Sequence, residues 1–146
     1  MKLWRLVYIS ESVRLMPNDD LVELVEHSRQ KNEEIGVSGL LLHSGGHFIQ
    51  VLEGEQLLVS SLFHKISRDP RHFEVRQLLS HGIDRRLFGD WGMKLAQTDG
   101  VLPMDRDAVQ KRLFRLRLSD GNEAEAAATA LSLLEEFRHQ VMEQCA

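Results

Sequence analysis

The sequence has few of the residues on which many functional sites depend. Its 146 residues include one cysteine, Cys145, and one tyrosine, Tyr8, and aromatic residues make up 6% of the chain. A single cysteine excludes an intrachain disulfide bond and a cysteine-rich zinc site. The seven histidines are scattered, apart from His43 and His47 on either side of a glycine-rich turn, and this spacing predicts no metal site.

Long apolar runs and an excess of positive charge are also missing. No run approaches the roughly 20 apolar residues of a membrane span, and the residues from Met1 to Arg5 do not resemble the apolar core of a signal peptide. The formal net charge of −4 does not indicate a surface for nucleic acid. We therefore expect a cytoplasmic protein that binds neither membranes nor nucleic acid directly.

The order of apolar patterns predicts an α+β fold. A helix is expected to begin near Pro17–Asp20 and to end at Gly36. A second helix has the apolar stripe Val59, Leu62, Phe63 and Ile66 and ends before Pro70. The predicted strands are Leu3–Ser10, Val37–His43, His47–Gly54, Phe73–Ser80 and Trp91–Gln97. This βαββαββ order is typical of the ferredoxin-like plan, with two helices on one face of a mixed sheet.

The other face of the sheet needs a cover of its own. In the first strand Trp4, Leu6 and Tyr8 alternate with Val7 and Ile9, so both faces are apolar. We expect residues 101–146, a helical extension after a domain at 1–100, to supply that cover. Segment Leu113–Leu118 alternates like a strand but is assigned to helix. The apolar stripe of the last helix is Ala127, Ala130, Leu131, Leu134, Phe137 and Val141.

Three polar residues occupy positions where apolar residues are expected. Tyr8 shares a strand face with Leu6, Gln50 lies between Phe48 and Leu52, and Asn32 extends the buried face of the first helix. Each one alone is most simply explained by a local hydrogen bond. Together, on elements that are adjacent in this fold, they indicate a buried polar ligand between helices and sheet. A planar heterocycle with carbonyl and ring N–H groups would suit the two amides.

Two further groups of residues are open to two interpretations. Trp91 and Met93 share one face of the last strand, where they could contribute to the ligand site, but taken alone they are better explained by ordinary core packing. Asp69, Arg71 and His72 follow the second helix and could form a solvated turn or bind a carbonyl or phosphate.

Six blocks of the sequence resemble the BLUF domain, the "blue light using flavin" photoreceptors, over about residues 3–97. The blocks occur in the order and at the spacing of that family. They are Arg5–Ser10 (RLVYIS), Ser28–Asn32 (SRQKN), Gly36–Leu41 (GVSGLL), Phe48–Gly54 (FIQVLEG), Asp69–His72 (DPRH) and Trp91–Met93 (WGM).

The resemblance implies that a flavin, normally FAD with FMN also conceivable, is held non-covalently between the two helices. Tyr8 and Gln50 match the photoactive pair, and Trp91 and Met93 match residues of signal relay. Which of the latter two points inward is left open. On blue-light excitation the tyrosine would donate an electron and then a proton through the glutamine. After recombination the hydrogen bonds of the glutamine would have changed, by rotation or by tautomerisation. The flavin spectrum would then shift slightly to the red and recover in the dark. The positions matched to flavin binding are Leu24, Ser28, Lys31, Asn32, Phe48, Gln50, Lys65, Ile66, Asp69, Arg71 and His72.

The short extension resembles that of family members without a fused enzyme, which implies a non-enzymatic receptor that self-associates and signals to a separate protein. Two alternatives remain open. One is a phosphate-cleaving enzyme on the same fold, but Ser44–Gly46 lies in a predicted hairpin rather than before a helix. The other is a light-insensitive module that binds a flavin or a partner.

Overall fold

One five-stranded sheet organises the part of the chain that the structure describes. The structure is a computed structural model, which describes residues 2–12, 18–44, 46–89, 94–97, 111–112, 115–116 and 123–145. The elements are β1 (Leu3–Ser12), α1 (Asn18–Ile35), β2 (Ser38–Ser44), β3 (His47–Glu55), α2 (Gln56–Ser67), β4 (His72–Gly82), β5 (Lys94–Gln97) and α3 (Glu123–Cys145).

The strand order is β4-β1-β3-β2-β5, with β5 parallel to β2 and the other neighbours antiparallel. This arrangement confirms the predicted ferredoxin-like α+β fold. The predicted last strand is described only from Lys94 onward, so its first residues, Trp91–Met93, lie outside the described residues.

The sheet buries apolar side chains on both faces, as the alternation in β1 predicts. On the face that we call the first face, Leu6 and Tyr8 pack in one cluster with Val59 of α2. On the second face, Val7 and Ile9 belong to a separate cluster. A strand alternates its side chains between faces, so β1 and its neighbours contribute to both cores at once.

Helix α3 covers the second face. Five of its buried residues join the second-face cluster, namely Ala126, Ala130, Leu133, Leu134 and Phe137, and Ala127 of the predicted stripe is also buried. Leu131 is partly buried against the same cluster, and Leu116 belongs to it. The residues at 111–112 and 115–116 are helical. The expectation that the C-terminal extension covers this face is therefore confirmed, except that the side chain of Val141 lies outside the described part.

The end of α1 is defined by hydrogen bonds around Gly36. Gly36 has a φ of 72°, its N–H donates to the carbonyl of Glu33 at 3.3 Å, and Val37 N–H donates to the carbonyl of Asn32 at 2.9 Å. This pattern is a Schellman motif, for which glycine is favoured because it adopts a positive φ without strain. A Cβ on Gly54 would lie 3.1 Å from a methyl group of Val37, so Gly54 lets this turn approach β3 closely.

No helix within the described ranges has both the length and the apolar content needed to cross a membrane.

Candidate functional site

Tyr8 and Gln50 form a buried hydrogen bond on the first face of the sheet. The two residues are direct partners in the β1–β3 ladder, and the Tyr8 hydroxyl donates to Gln50 Oε1. Tyr8 is 3% exposed and Gln50 is 6% exposed. The antiparallel register places the two side chains opposite each other on the same face of the sheet. The phenol and the amide are thus joined without any intervening residue.

The surroundings of Tyr8 keep its phenol protonated. Burial raises the pKa of Tyr8 well above its usual value, and the negative charge of Asp69 acts in the same direction. The ring of Phe63, on α2, lies 5.4 Å from the Tyr8 ring, centroid to centroid. A neutral phenol has a proton that it can donate to a buried acceptor, which the amide oxygen of Gln50 provides.

His72 connects three elements beside this pair. Its Nε2 lies 2.6 Å from the carbonyl oxygen of Ile66, and its Nδ1 lies 2.8 Å from Ser10 Oγ. A carbonyl can only accept, so Nε2 donates, and in a neutral imidazole Nδ1 accepts from the Ser10 hydroxyl. The His72 ring meets Tyr8 edge-on at 6.2 Å and Phe48 at 6.4 Å. The imidazole therefore aligns β1, the end of α2 and the start of β4.

Asp69 and Arg71 pair with each other immediately after α2. Arg71 Nε donates to both oxygens of Asp69, at 2.9 and 3.1 Å, and the backbone N–H of Arg71 donates to Oδ1 at 2.9 Å. The hydrogen bond from Arg71 lowers the pKa of Asp69, and the same bond raises the pKa of Arg71. Both groups are consequently charged at neutral pH, with Arg71 exposed and Asp69 half-buried.

The positions predicted on α1 differ in their exposure. Asn32 is 4% exposed and is held by the Schellman motif, while Ser28 is half-buried and Lys31 is exposed. Leu24 lies on the helix, but its side chain is outside the described part of the structure.

The remaining predicted positions lie on β3 and α2 and near β5. Phe48 is buried on the first face, Ile66 is half-buried in contact with the same cluster, and Lys65 is exposed. Trp91 and Met93 fall outside the described residues. The structure thus brings Tyr8, Gln50, Phe48, His72 and the carbonyl of Ile66 together, whereas Lys31 and Lys65 lie at the surface of their helices.

The donor set fits the ring system of a flavin. Two buried amides, Asn32 and Gln50, each present both a donor and an acceptor, which suits a planar ring edge with alternating carbonyl and N–H groups. Tyr8, Phe63 and Ile66 add apolar and aromatic surface on the same side of the sheet. Among the described residues, no group of three or more histidine, cysteine or acidic side chains is placed to hold a metal ion.

Sequence reasoning missed Ser10 and Phe63 as members of the site, and Arg5 and Glu53 as a buried pair. Ser10 lies on the same strand face as Tyr8, and this period of two was the available signal. Phe63 was assigned only to the core stripe of its helix. Arg5 and Glu53 are charged residues at inward positions of apolar strands, and their Nε and Oε2 atoms lie 2.7 Å apart.

A ferredoxin-like sheet with a buried tyrosine–glutamine pair on β1 and β3, and a buried asparagine on α1, defines a class of flavin-binding sensory domains. The chain matches the BLUF family, described as sensors of blue-light using FAD, over residues 3–94. This match covers more than half of the chain, and the chain belongs to the BLUF family. It is a flavin-binding blue-light sensor domain, as the sequence predicts.

The curated relatives are much longer than this chain. The chain is 39% identical over 101 residues to the photoactivated adenylate cyclase subunit beta of Euglena longa, covering 68% of this chain and 12% of the relative. It is 36% identical over 112 residues to the blue light- and temperature-regulated antirepressor BluF of Escherichia coli, covering 77% of this chain and 27% of the relative. The chain therefore spans only a small part of these curated relatives.

A solved structure of similar size shows the same fold. The dark-state structure of BlrB, a BLUF protein, superposes with a TM-score of 0.69 at 34% identity, covering 90% of this chain and 97% of BlrB. A BlsA photo-activated state has a TM-score of 0.69 at 26% identity, covering 92% of this chain and 94% of that one.

Proposed function

We propose that this chain is a blue-light receptor in which Tyr8 and Gln50 form the photoactive pair. The observation that carries the proposal is the buried hydrogen bond from the Tyr8 hydroxyl to Gln50 Oε1, between direct partners of adjacent strands. A bond in this position has two stable arrangements, because the glutamine amide has an acceptor at one end and a donor at the other. Exchange of the two ends is a small local change within a packed sheet.

The protonation state of Tyr8 suits this role. A bound flavin would supply a chromophore for blue light that, once excited, can take an electron from a nearby donor. A phenol can serve as that donor, and the raised pKa of Tyr8 ensures that its proton is present until the electron leaves. Gln50 Oε1 is the acceptor toward which this proton points. Return of both the electron and the proton to Tyr8, after the amide has changed its orientation, would leave the altered hydrogen bonds in place.

The flavin cradle is proposed from the residues that surround the pair. Asn32 and Gln50 would bind the polar edge of the ring, and Leu24 and Ile66 would flank its plane. Asp69, Arg71 and His72 would hold the ring and the first part of the side chain. Ser28, Phe48, Lys31 and Lys65 complete the proposed contacts. None of these contacts depends on the adenine end, so FMN would be compatible with the ring site.

The output is proposed to be an interaction with a separate protein. Trp91 and Met93, just before β5, are the proposed relay from the site, with residues 101–146 as the assembly or output segment after the sensor domain at 1–100. We propose that the chain has no enzymatic activity, works in the cytoplasm and self-associates. Photoactivated cyclases and an antirepressor among its relatives support a role in controlling an effector.

Absorbance spectra in the dark and after blue light test this function. We expect FAD-loaded protein to be yellow and to show a small, reversible red shift. Tyr8→Phe should keep the flavin and lose the shift, since only the hydroxyl is removed. Trp4→Phe is the matched control: it removes an aromatic hydrogen bond from the same strand face, Trp4 Nε1 to Ser80 Oγ at 2.8 Å, away from the pair.

Three outcomes would contradict the proposal in different ways. A protein that stays colourless after reconstitution with FAD would contradict flavin binding. A yellow protein without a reversible shift would indicate the light-insensitive alternative. A normal photocycle in Tyr8→Phe would show that Tyr8 is not the donor, and no other tyrosine in the chain can replace it.

A further inference from the structure

The second face of the sheet contains a buried ion pair that the flavin site does not use. Arg5 Nε and Glu53 Oε2 lie 2.7 Å apart, and their side chains are 8% and 0% exposed. Burying two charges costs free energy that their attraction only partly restores, and well-packed apolar residues often stabilise a core as well. A stabilising role alone is therefore a weak explanation for this pair.

Register relates the ion pair to the photoactive pair. Arg5 and Glu53 are direct partners in the β1–β3 ladder, as are Tyr8 and Gln50. On both strands the two pairs differ by three in residue number, from Arg5 to Tyr8 on β1 and from Gln50 to Glu53 on β3, which is about 10 Å along the strands. Because three is an odd number, the two pairs lie on opposite faces. Any displacement of β3 against β1 at Gln50 is thus transmitted through the same strand to Glu53.

Glu53 also binds the backbone of the segment that follows β4. Its Oε1 accepts from Phe88 N–H at 2.7 Å, and its Oε2 accepts from Leu87 N–H at 3.2 Å. The same segment is attached to β2, where Arg86 Nη1 donates to Ser38 Oγ at 3.1 Å. One carboxylate therefore joins β1, β3 and the segment at 83–89, which precedes β5 in the chain.

The side chain of Phe88 extends this connection to α3. Phe88 is 1% exposed and belongs to the same second-face cluster as Leu133, Leu134 and Phe137. Movement of the Phe88 backbone must consequently alter packing beneath the helix, because a close-packed core transmits displacement rather than absorbing it.

We propose that Glu53 is a positioning residue that couples Gln50 on β3 to the segment at 83–89 and, through Phe88, to α3. The inference rests on the proposed function, because it requires a light-driven change at Gln50. It assigns Glu53 no contact with the flavin: the residue acts from the opposite face of the sheet. The light-driven change at Gln50 would then be transmitted to α3 through the Glu53 carboxylate, in addition to any path through β5.

A paired variant separates this role from folding. Arg5→Met together with Glu53→Leu replaces both charges by apolar side chains, so neither charge is left buried without its partner. We expect the red shift to persist. The amides of Leu87 and Phe88 should exchange at least about tenfold faster in the dark, because each loses a hydrogen bond to a charged group. The light-induced change in hydrogen exchange across α3 should be lost. Residue-resolved hydrogen exchange by NMR, in the dark and under illumination, measures the exchange of the two amides and the light-induced change in α3. The absorbance spectrum measures the red shift.

A milder variant and a matched control complete the experiment. Glu53→Gln keeps the side-chain shape and a neutral acceptor, and it should reduce the light-induced change in α3 without abolishing it. Glu136→Gln removes the charge of Glu136, which is exposed on α3 and pairs with Arg112 of the segment that precedes this helix. This control should leave the light-induced change intact.

The outcomes distinguish this inference from the proposed function. A paired variant or a Glu53→Gln variant with a normal red shift and an undiminished light-induced change in α3 would overturn the coupling role of Glu53 alone. A wild-type protein without any reversible shift would overturn the proposed function, and this inference with it.

Discussion

Phe137 provides a direct test of whether the C-terminal helix is part of the folded core. Its side chain is 0% exposed and shares the second-face cluster with Val7 and Ile9 of β1. Truncation of a buried phenylalanine to alanine costs about 3–5 kcal/mol, from lost transfer free energy and from the cavity that remains. We therefore expect Phe137→Ala to lower the free energy of unfolding by that amount.

The expected loss is large relative to the stability of a single domain. Domains unfold with a free energy of about 5–15 kcal/mol, so Phe137→Ala should leave a folded but weakened protein. The midpoint of thermal unfolding should fall by roughly 9–15 °C for a chain of this size. Phe137→Leu, which keeps most of the apolar volume, should cost less than about 1.5 kcal/mol.

Urea unfolding of the dark, FAD-loaded protein, followed by circular dichroism, measures these differences. Glu135→Ala is the control, because Glu135 is exposed on the same helix and its loss should change stability by no more than about 0.5 kcal/mol. If Phe137→Ala costs less than about 1 kcal/mol with an unchanged slope on urea, the helix does not cover the second face in solution. The second-face cluster would then form without α3.

Two further predictions concern the flavin face. Asn32→Ala should weaken FAD binding roughly tenfold, as expected for a buried amide that binds the ring edge, while the urea midpoint of the apoprotein should be less affected. Fluorescence titration with FAD measures the affinity, and unchanged binding would show that Asn32 does not contact the flavin. Because burial raises the pKa of Tyr8, the contribution of this group to stability is fully present below the usual tyrosine value of about 10. It is lost progressively as pH rises from there to the higher folded value. An alkaline absorbance titration of this single tyrosine should show no phenolate near pH 10 while the protein stays folded, and an ordinary titration there would contradict its burial.

The fold was predictable because its signals are local. Alternation in β1 and the helical stripe of α2 reflect the periods of strand and helix, and Gly36 ends α1 as expected. The edge strand β4 was harder to predict. The register shifts between Val7 and Tyr8, so that Val7 pairs with Leu79 while Tyr8 pairs with Gln77. Such a bulge depends on packing against β1 and has no simple sequence pattern.

The candidate site was predictable in part for the same reason. Tyr8 and Gln50 could be identified because each is polar on an apolar strand face, whereas their pairing across β1 and β3 is a tertiary property. Their roles in photochemistry came from the family resemblance, not from spacing. The contacts of Ser10 and His72 depend on how the end of α2 approaches β1, which is a tertiary property. Pairing of Arg5 with Glu53 likewise follows from the observed register.

The register between β1 and β3 determines two pairs at once, Arg5 with Glu53 on the second face and Tyr8 with Gln50 on the first face. A slip of β3 by one residue against β1 would turn its side chains to the opposite faces. Gln50 would then leave Tyr8, and Glu53 would lose Arg5 together with the amides of Leu87 and Phe88. A buried carboxylate without its partners costs several kcal/mol, which is far more than one neutral hydrogen bond contributes. The ion pair on the second face thus penalises the slipped register strongly, and in doing so it holds the tyrosine and the glutamine opposite each other on the first face.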